Sequence, residues 1–210
     1  RARTIVFSSD QFASDDFFFS IDLADPKWKG KLCLRTSKKV YNRSLIASMI
    51  DEYGFDQAKE VVSGWISNLA TEVFSNDTNA LKAVSSGQCG VTIVNTYYLA
   101  RLLDDPQYEN LSLFWANQND RGVHVNISGA GIVKSSKNKE NAILLLEYLS
   151  SETAQNLYAS ANKEFPVLTS AKAHESIQAW GDFDEDDINV SKLGSLQKQA
   201  VLLAQEVGYK

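Results

Sequence analysis

The run from Gly87 to Leu103, Gly-Gln-Cys-Gly-Val-Thr-Ile-Val-Asn-Thr-Tyr-Tyr-Leu-Ala-Arg-Leu-Leu, reads as a strand that turns directly into a helix. Val91, Ile93 and Val94 favour extended backbone and Gly87 and Gly90 punctuate its entry, while Leu99, Leu102 and Leu103 recur at helical spacing after Asn95-Thr96. Tyr97 and Tyr98 therefore stand at the junction. Open α/β sheets hold their ligands at the carboxyl ends of strands, where a turning backbone can aim two neighbouring side chains into one crevice. Local spacing alone also fits a plainer arrangement, with one tyrosine packed in the core and the other facing water.

Strands and helices alternate through the rest of the chain. Arg1 to Ser8 reads as a strand, and Phe17-Phe18-Phe19 as part of a surface loop tucked onto the domain. Asp25-Pro26 starts a turn, Trp28 caps a hydrophobic edge, and Gly30 releases a strand over Lys31 to Arg35. Thr36 and Ser37 then lead into an amphipathic helix with Tyr41 at its mouth; their hydroxyls and the free amides of the first turn make an anion-friendly site. Helical patterns cover Phe55 to Ala70, after the breaker Gly54, and Asn76 to Ser85, where Asn76-Asp77-Thr78 supplies cap residues. Leu111 to Trp115 is strand-like. Lys139 to Ala161 is the best amphipathic pattern and reads as one helix with Ala142, Leu145, Leu146, Leu149, Ala154 and Leu157 as its apolar stripe. A closing helix spans roughly Lys192 to Val207.

Composition removes several classes of function. With 210 residues, 44% of them hydrophobic and 22% charged, the chain is large enough for one big domain or two small lobes. A net charge of −5 speaks against nucleic acid or an anionic membrane as partner and mildly favours a cation. Asp182-Phe183-Asp184-Glu185-Asp186-Asp187 resembles a calcium loop, but Asp187 stands where an EF-hand needs glycine, so a solvated acidic loop is expected. His124 and His174 have no Cys or His partner at zinc-ligand spacing. Gly129-Ala130-Gly131 lacks the remainder of a dinucleotide fingerprint, and no serine sits in a nucleophile elbow.

Asn95-Thr96-Tyr97-Tyr98 followed by Leu99-x-Arg101-Leu102 resembles the paired-tyrosine motif of bacterial ferric-iron-binding periplasmic proteins, the substrate-binding components of iron(III) ABC importers. The likeness covers nearly the whole chain. It implies an α/β, two-lobed type II periplasmic binding protein fold whose N-terminal part of lobe 1 is missing from this sequence. Residues 1–124 would be mainly lobe 2, with 1–7 as a hinge or crossover strand; 125–167 would be a portion of lobe 1; and 168–210 would return to lobe 2. The glycine-bearing segment Gly122 to Val133 resembles the strand by which the chain leaves one lobe for the other.

By the same resemblance, Tyr41, Tyr97 and Tyr98 are the iron ligands, with Tyr41-Asn42 matching the family's third ligand tyrosine. Iron(III) is hard and prefers anionic oxygen donors. Three phenolates would offset its charge, and protons would compete for them as pH falls. Lys38 and Lys39 depart from the family's small or amide side chains, which puts the local anion arrangement in question. Arg1, Arg3, Ser37 and Asn95 are candidates for the second shell or for holding a synergistic anion such as carbonate; for Arg1 and Arg3 the alternative is a surface place on an edge strand. Cys33 and Cys89 would lie on neighbouring strands, either bridged in an oxidising periplasm or present as two buried thiols. The implied protein is a periplasmic monomer that delivers ferric iron to an ABC permease and catalyses no reaction. A same-fold carrier of an oxyanion or polyamine is the nearest competitor, and a metal-dependent enzyme a more distant one.

Overall fold

Two parallel strands and an antiparallel one decide where the tyrosines go. The computed structural model describes residues 1–210 and divides into two compact units, one of Ala2–Asn126 with Phe183–Lys210, the other of Arg1 with Ile127–Asp182. The larger unit is built on a four-stranded sheet of β1 (Arg3–Ser8), β2 (Leu32–Cys33), β3 (Val91–Asn95) and β4 (Leu111–Phe114), in the order β2-β3-β1-β4. β2 runs parallel to β3, whereas β1 is antiparallel to both β3 and β4, with Arg3 opposite Asn95.

All residues of β1 and β3 are buried, as expected of strands covered on both faces. Ile5, Phe7, Val91 and Ile93 belong to the main core together with Leu45, Ile46, Met49, Val62, Trp65 and Leu203 from the helices α1 (Val40–Tyr53), α2 (Phe55–Ser67) and, further on, the C-terminal helix. The helix α3 (Asp77–Ser85) packs on β3 and β1, and α4 (Thr96–Leu102) follows β3 without a break. A disulfide joins Cys33 of β2 to Cys89 just before β3, with Cα atoms 5.9 Å apart.

The aromatic run near residue 17 splits by face. Phe17 is buried and stacks on Trp28 with ring centroids 5.0 Å apart, whereas Phe18 is exposed. In the acidic loop Asp182, Asp184, Glu185 and Asp187 are exposed as expected, while Asp186 forms a part-buried ion pair with Arg121 and Phe183 stacks on Trp115 at 4.1 Å. Segment 123–126 is not a strand but makes isolated bridges, Ala2 with Val125 and Val123 with Glu185.

The smaller unit contains α5 (Lys139–Leu149), α6 (Glu152–Asn162) and the short α7 (Glu175–Gln178). The single helix expected over 139–161 is thus two helices. The break falls at Ser150-Ser151, where the Ser151 hydroxyl accepts from the Ala154 N–H and caps α6. α5 has no fully buried residue; of the apolar stripe Ala154 is buried, Ala142, Leu146 and Leu149 are half-buried and Leu145 and Leu157 are exposed, as are Leu144 and Tyr148 beside it. This unit ends at Asp182. The chain ends in α8 (Val190–Glu206), which belongs to the larger unit and packs against α1 and α2. No helix is long and apolar enough to cross a membrane.

Candidate functional site

Because β2 and β3 are parallel neighbours, the segments leaving them emerge at the same edge of the sheet. After β2 the chain continues through Arg35 to α1, which places Tyr41 in that helix's first turn. After β3 it enters α4 at Thr96, which places Tyr97 and Tyr98 in the first turn there. The Tyr97 hydroxyl donates to that of Tyr41 at 3.2 Å. The rings of Tyr97 and Tyr98 lie 4.4 Å apart and tilted by 35°. Three phenols that sequence separates into two groups therefore form one cluster.

Burial grades across the cluster. Tyr97 is 6% exposed and Tyr41 and Tyr98 are half-buried, so the cluster has a closed side and an open one. Burial, then hydrogen bonding with Tyr41 and Tyr98, pushes the Tyr97 phenol well above its ordinary range. It is accordingly a neutral phenol at neutral pH. Both helix N-termini also favour negative charge at these positions.

Beneath the phenols lies a polar network with almost no solvent access. Arg3 donates through Nε to the Asn42 side-chain oxygen at 2.9 Å, through Nη1 to Asp77 at 3.0 Å and to Asn95 at 3.1 Å, and through Nη2 to the Ile93 carbonyl at 3.0 Å. Asn95 in turn donates to the Tyr97 hydroxyl at 3.4 Å. Arg35 lies 3.3 Å from Asp77 and places its guanidinium carbon 4.9 Å over the Tyr41 ring, while Arg101 lies 5.0 Å over that of Tyr97. Asn42 donates to the Arg35 carbonyl at 3.0 Å and to the Tyr209 hydroxyl at 2.5 Å, which fastens the end of the chain to this network.

The structure sorts the remaining candidates. Asn95 lies in the buried network behind Tyr97 and donates to its hydroxyl. Arg3 is neither on an edge strand nor at the surface: β1 is an interior strand, and the guanidinium is committed to Asp77, Asn42 and Asn95 rather than to an incoming anion. Ser37 is spent elsewhere, its hydroxyl donating to the Tyr209 carbonyl and its N–H to that of Lys210. Arg1 belongs to the smaller unit, where it donates to Ser128 at 2.6 Å and lies 3.7 Å from Glu164. His124 is buried against Ser44, and no group of three or more His, Cys, Asp or Glu side chains is placed to hold a metal.

Sequence reasoning missed Asp77, Arg35 and Tyr209. Asp77 was legible only as a helix-cap residue beside Asn76, and nothing local ties it to Arg3, 74 residues away, or to Arg35. The set available to a ligand is three phenol oxygens, hard donors that become anionic on binding a cation.

The family model described as bacterial extracellular solute-binding protein matches residues 21–184. Iron uptake protein A1 of Synechocystis is 39% identical over 100% of this chain and 60% of that protein. Among solved structures, one titled as a Trichodesmium protein in complex with iron and citrate is 39% identical with a TM-score of 0.94, and a ferric binding protein from Campylobacter jejuni is 31% identical with a TM-score of 0.95. Each alignment covers 100% of this chain and 68% of the solved one. The chain thus spans less than two thirds of the curated relative's length.

Proposed function

This chain belongs to the bacterial extracellular solute-binding protein family, and on that premise we propose that it is the larger part of a periplasmic carrier that captures ferric iron for an ABC importer. One observation carries the reading: the Tyr41 and Tyr97 hydroxyl oxygens lie 3.2 Å apart with Tyr98 packed beside them. That spacing lets the phenolates share one small cation. In the metal-free state the neutral phenols are held together by the hydrogen bond from Tyr97 to Tyr41, and a trivalent ion would replace that bond with coordination and hold each oxygen as phenolate. The relatives are named for iron uptake and ferric binding, which agrees with this chemistry.

In this reading Tyr41, Tyr97 and Tyr98 are the ligands contributed by the larger unit, which corresponds to lobe 2, and the smaller unit is a portion of lobe 1. Further coordination positions are filled by chain beyond this sequence or by an anion such as carbonate. The exposed Leu144, Leu145, Tyr148 and Leu157 of α5 and α6 suit a lobe whose remaining part lies in that further chain. Closure of the lobes would trap the ion, and the closed monomer would be read by the permease. The protein is a carrier with stoichiometric uptake and no turnover.

The test is titration of the full-length protein with ferric citrate, followed in the visible. Tyrosinate-to-iron charge transfer should colour the protein with an endpoint of one ion per chain. A protein that stays colourless, and is stabilised against heat by an oxyanion or a polyamine instead, overturns the reading.

A further inference from the structure

We infer that Asp77 is the positioning residue of the phenol cluster, a single buried anchor to which both of its arms are tied. The inference rests on the ferric-iron reading above. Asp77 opens α3 and has no solvent exposure. One carboxylate oxygen accepts from Arg3 at 3.0 Å and from the Asn95 backbone N–H at 3.1 Å; the other faces Arg35 Nη1 at 3.3 Å. One arm thus runs from Asp77 through Arg35 to the face of the Tyr41 ring. The second runs from Asp77 through Asn95 to the Tyr97 hydroxyl.

Asp77 is not itself a ligand, because it has no solvent exposure: one oxygen accepts hydrogen bonds from Arg3 and the Asn95 N–H, and the other, which makes no hydrogen bond, lies in ion-pair range of Arg35. Nor does helix capping explain its burial, since Asn76 already accepts from the Asn79 N–H at 2.9 Å. A buried ion pair is a weak source of stability compared with apolar packing of the same volume. It does fix geometry: one carboxylate hydrogen-bonded to the Arg3 guanidinium and paired with that of Arg35 draws the two together, and they lie against Asn95 and the Tyr41 ring. The carboxylate also cancels one of two positive charges that would otherwise repel a trivalent cation.

The experiment compares the full-length protein with its Asp77→Asn and Arg35→Lys variants. Three readouts are used: ferric affinity, the charge-transfer maximum, and the ring signals of ¹³C-labelled tyrosine in the metal-free protein. Asp77→Asn should keep the far-ultraviolet circular dichroism of the fold, weaken ferric binding by about tenfold or more, shift the band and displace the Tyr41 and Tyr97 signals. A folded variant with a lower melting temperature but unchanged affinity, band and tyrosine signals overturns the inference. If Asp77→Asn does not fold, Arg35→Lys decides. It keeps the charge but loses the planar contact, so it should displace the Tyr41 signal and weaken binding, and no change in either overturns the anchor. Should the unsubstituted protein take up no ferric iron, the iron reading fails separately, and the tyrosine signals alone decide whether Asp77 anchors the cluster.

Discussion

The hydroxyl oxygen of Tyr41 lies 3.2 Å from that of Tyr97, although 56 residues separate them in the chain. Their meeting follows from sheet topology. β2 and β3 are parallel neighbours, so the helices that follow them start side by side, and a tyrosine in each first turn faces the same space. The placement follows the general rule for ligand sites in open α/β sheets.

If these phenols bind iron as phenolates, each must release a proton at neutral pH. Tyr97 is held neutral in the metal-free state by burial and by its hydrogen bonds with Tyr41 and Tyr98. Uptake of a ferric ion should therefore release about three protons in an unbuffered titration, and affinity should fall as the solution is acidified. Binding with no proton release would mean that the ligands are not phenols.

The Cys33–Cys89 disulfide closes a loop with a sequence separation of 56 and pins β2 against the entry to β3. Its loss should cost about 4 kcal/mol on chain-entropy grounds. Because the same two strands deliver Tyr41 and Tyr97, the double Cys→Ser variant should also bind iron more weakly at temperatures where it remains folded. Denaturant midpoints with and without reductant measure the first effect, and iron titration of the variant measures the second.

His124 should make the metal-free protein acid-sensitive. Burial, then the nearby Arg3 and Arg121 cations, lowers its pKa from 6.5 to about 3. The folded state keeps it neutral while the unfolded state takes up a proton below the ordinary value. Its contribution is therefore complete above about pH 6.5 and is lost as pH falls toward about 3, at roughly 1.4 kcal/mol per pH unit. Urea denaturation across this range should show a shallower loss for His124→Gln than for the unsubstituted protein.

What could be read from sequence was what is local or repeated. The turn from Ile93-Val94 into Leu99 announces a strand followed by a helix, and that junction holds the tyrosine pair. The site's foundation was not legible, because Arg3, Arg35, Asp77 and Tyr209 meet only through long-range packing. Periodicity also misled: the apolar stripe over 139–161 continues in phase across Ser150-Ser151, which conceals the cap that starts α6. The acidic run did indicate a solvated loop, and Asp182, Asp184, Glu185 and Asp187 are exposed; what it could not show is that Arg121, 65 positions from Asp186, draws that one carboxylate into a part-buried pair.

The most direct measurement is the visible spectrum of the full-length protein and of its Tyr41→Phe, Tyr97→Phe and Tyr98→Phe variants, each titrated with ferric citrate. Removing one hydroxyl from a hydrogen-bonded cluster costs about 1 kcal/mol of stability, so the variants should remain folded. The account predicts a charge-transfer band in the unsubstituted protein that shifts or disappears in every variant, with affinity reduced more than about tenfold. A band and an affinity that survive all three substitutions unchanged would contradict it.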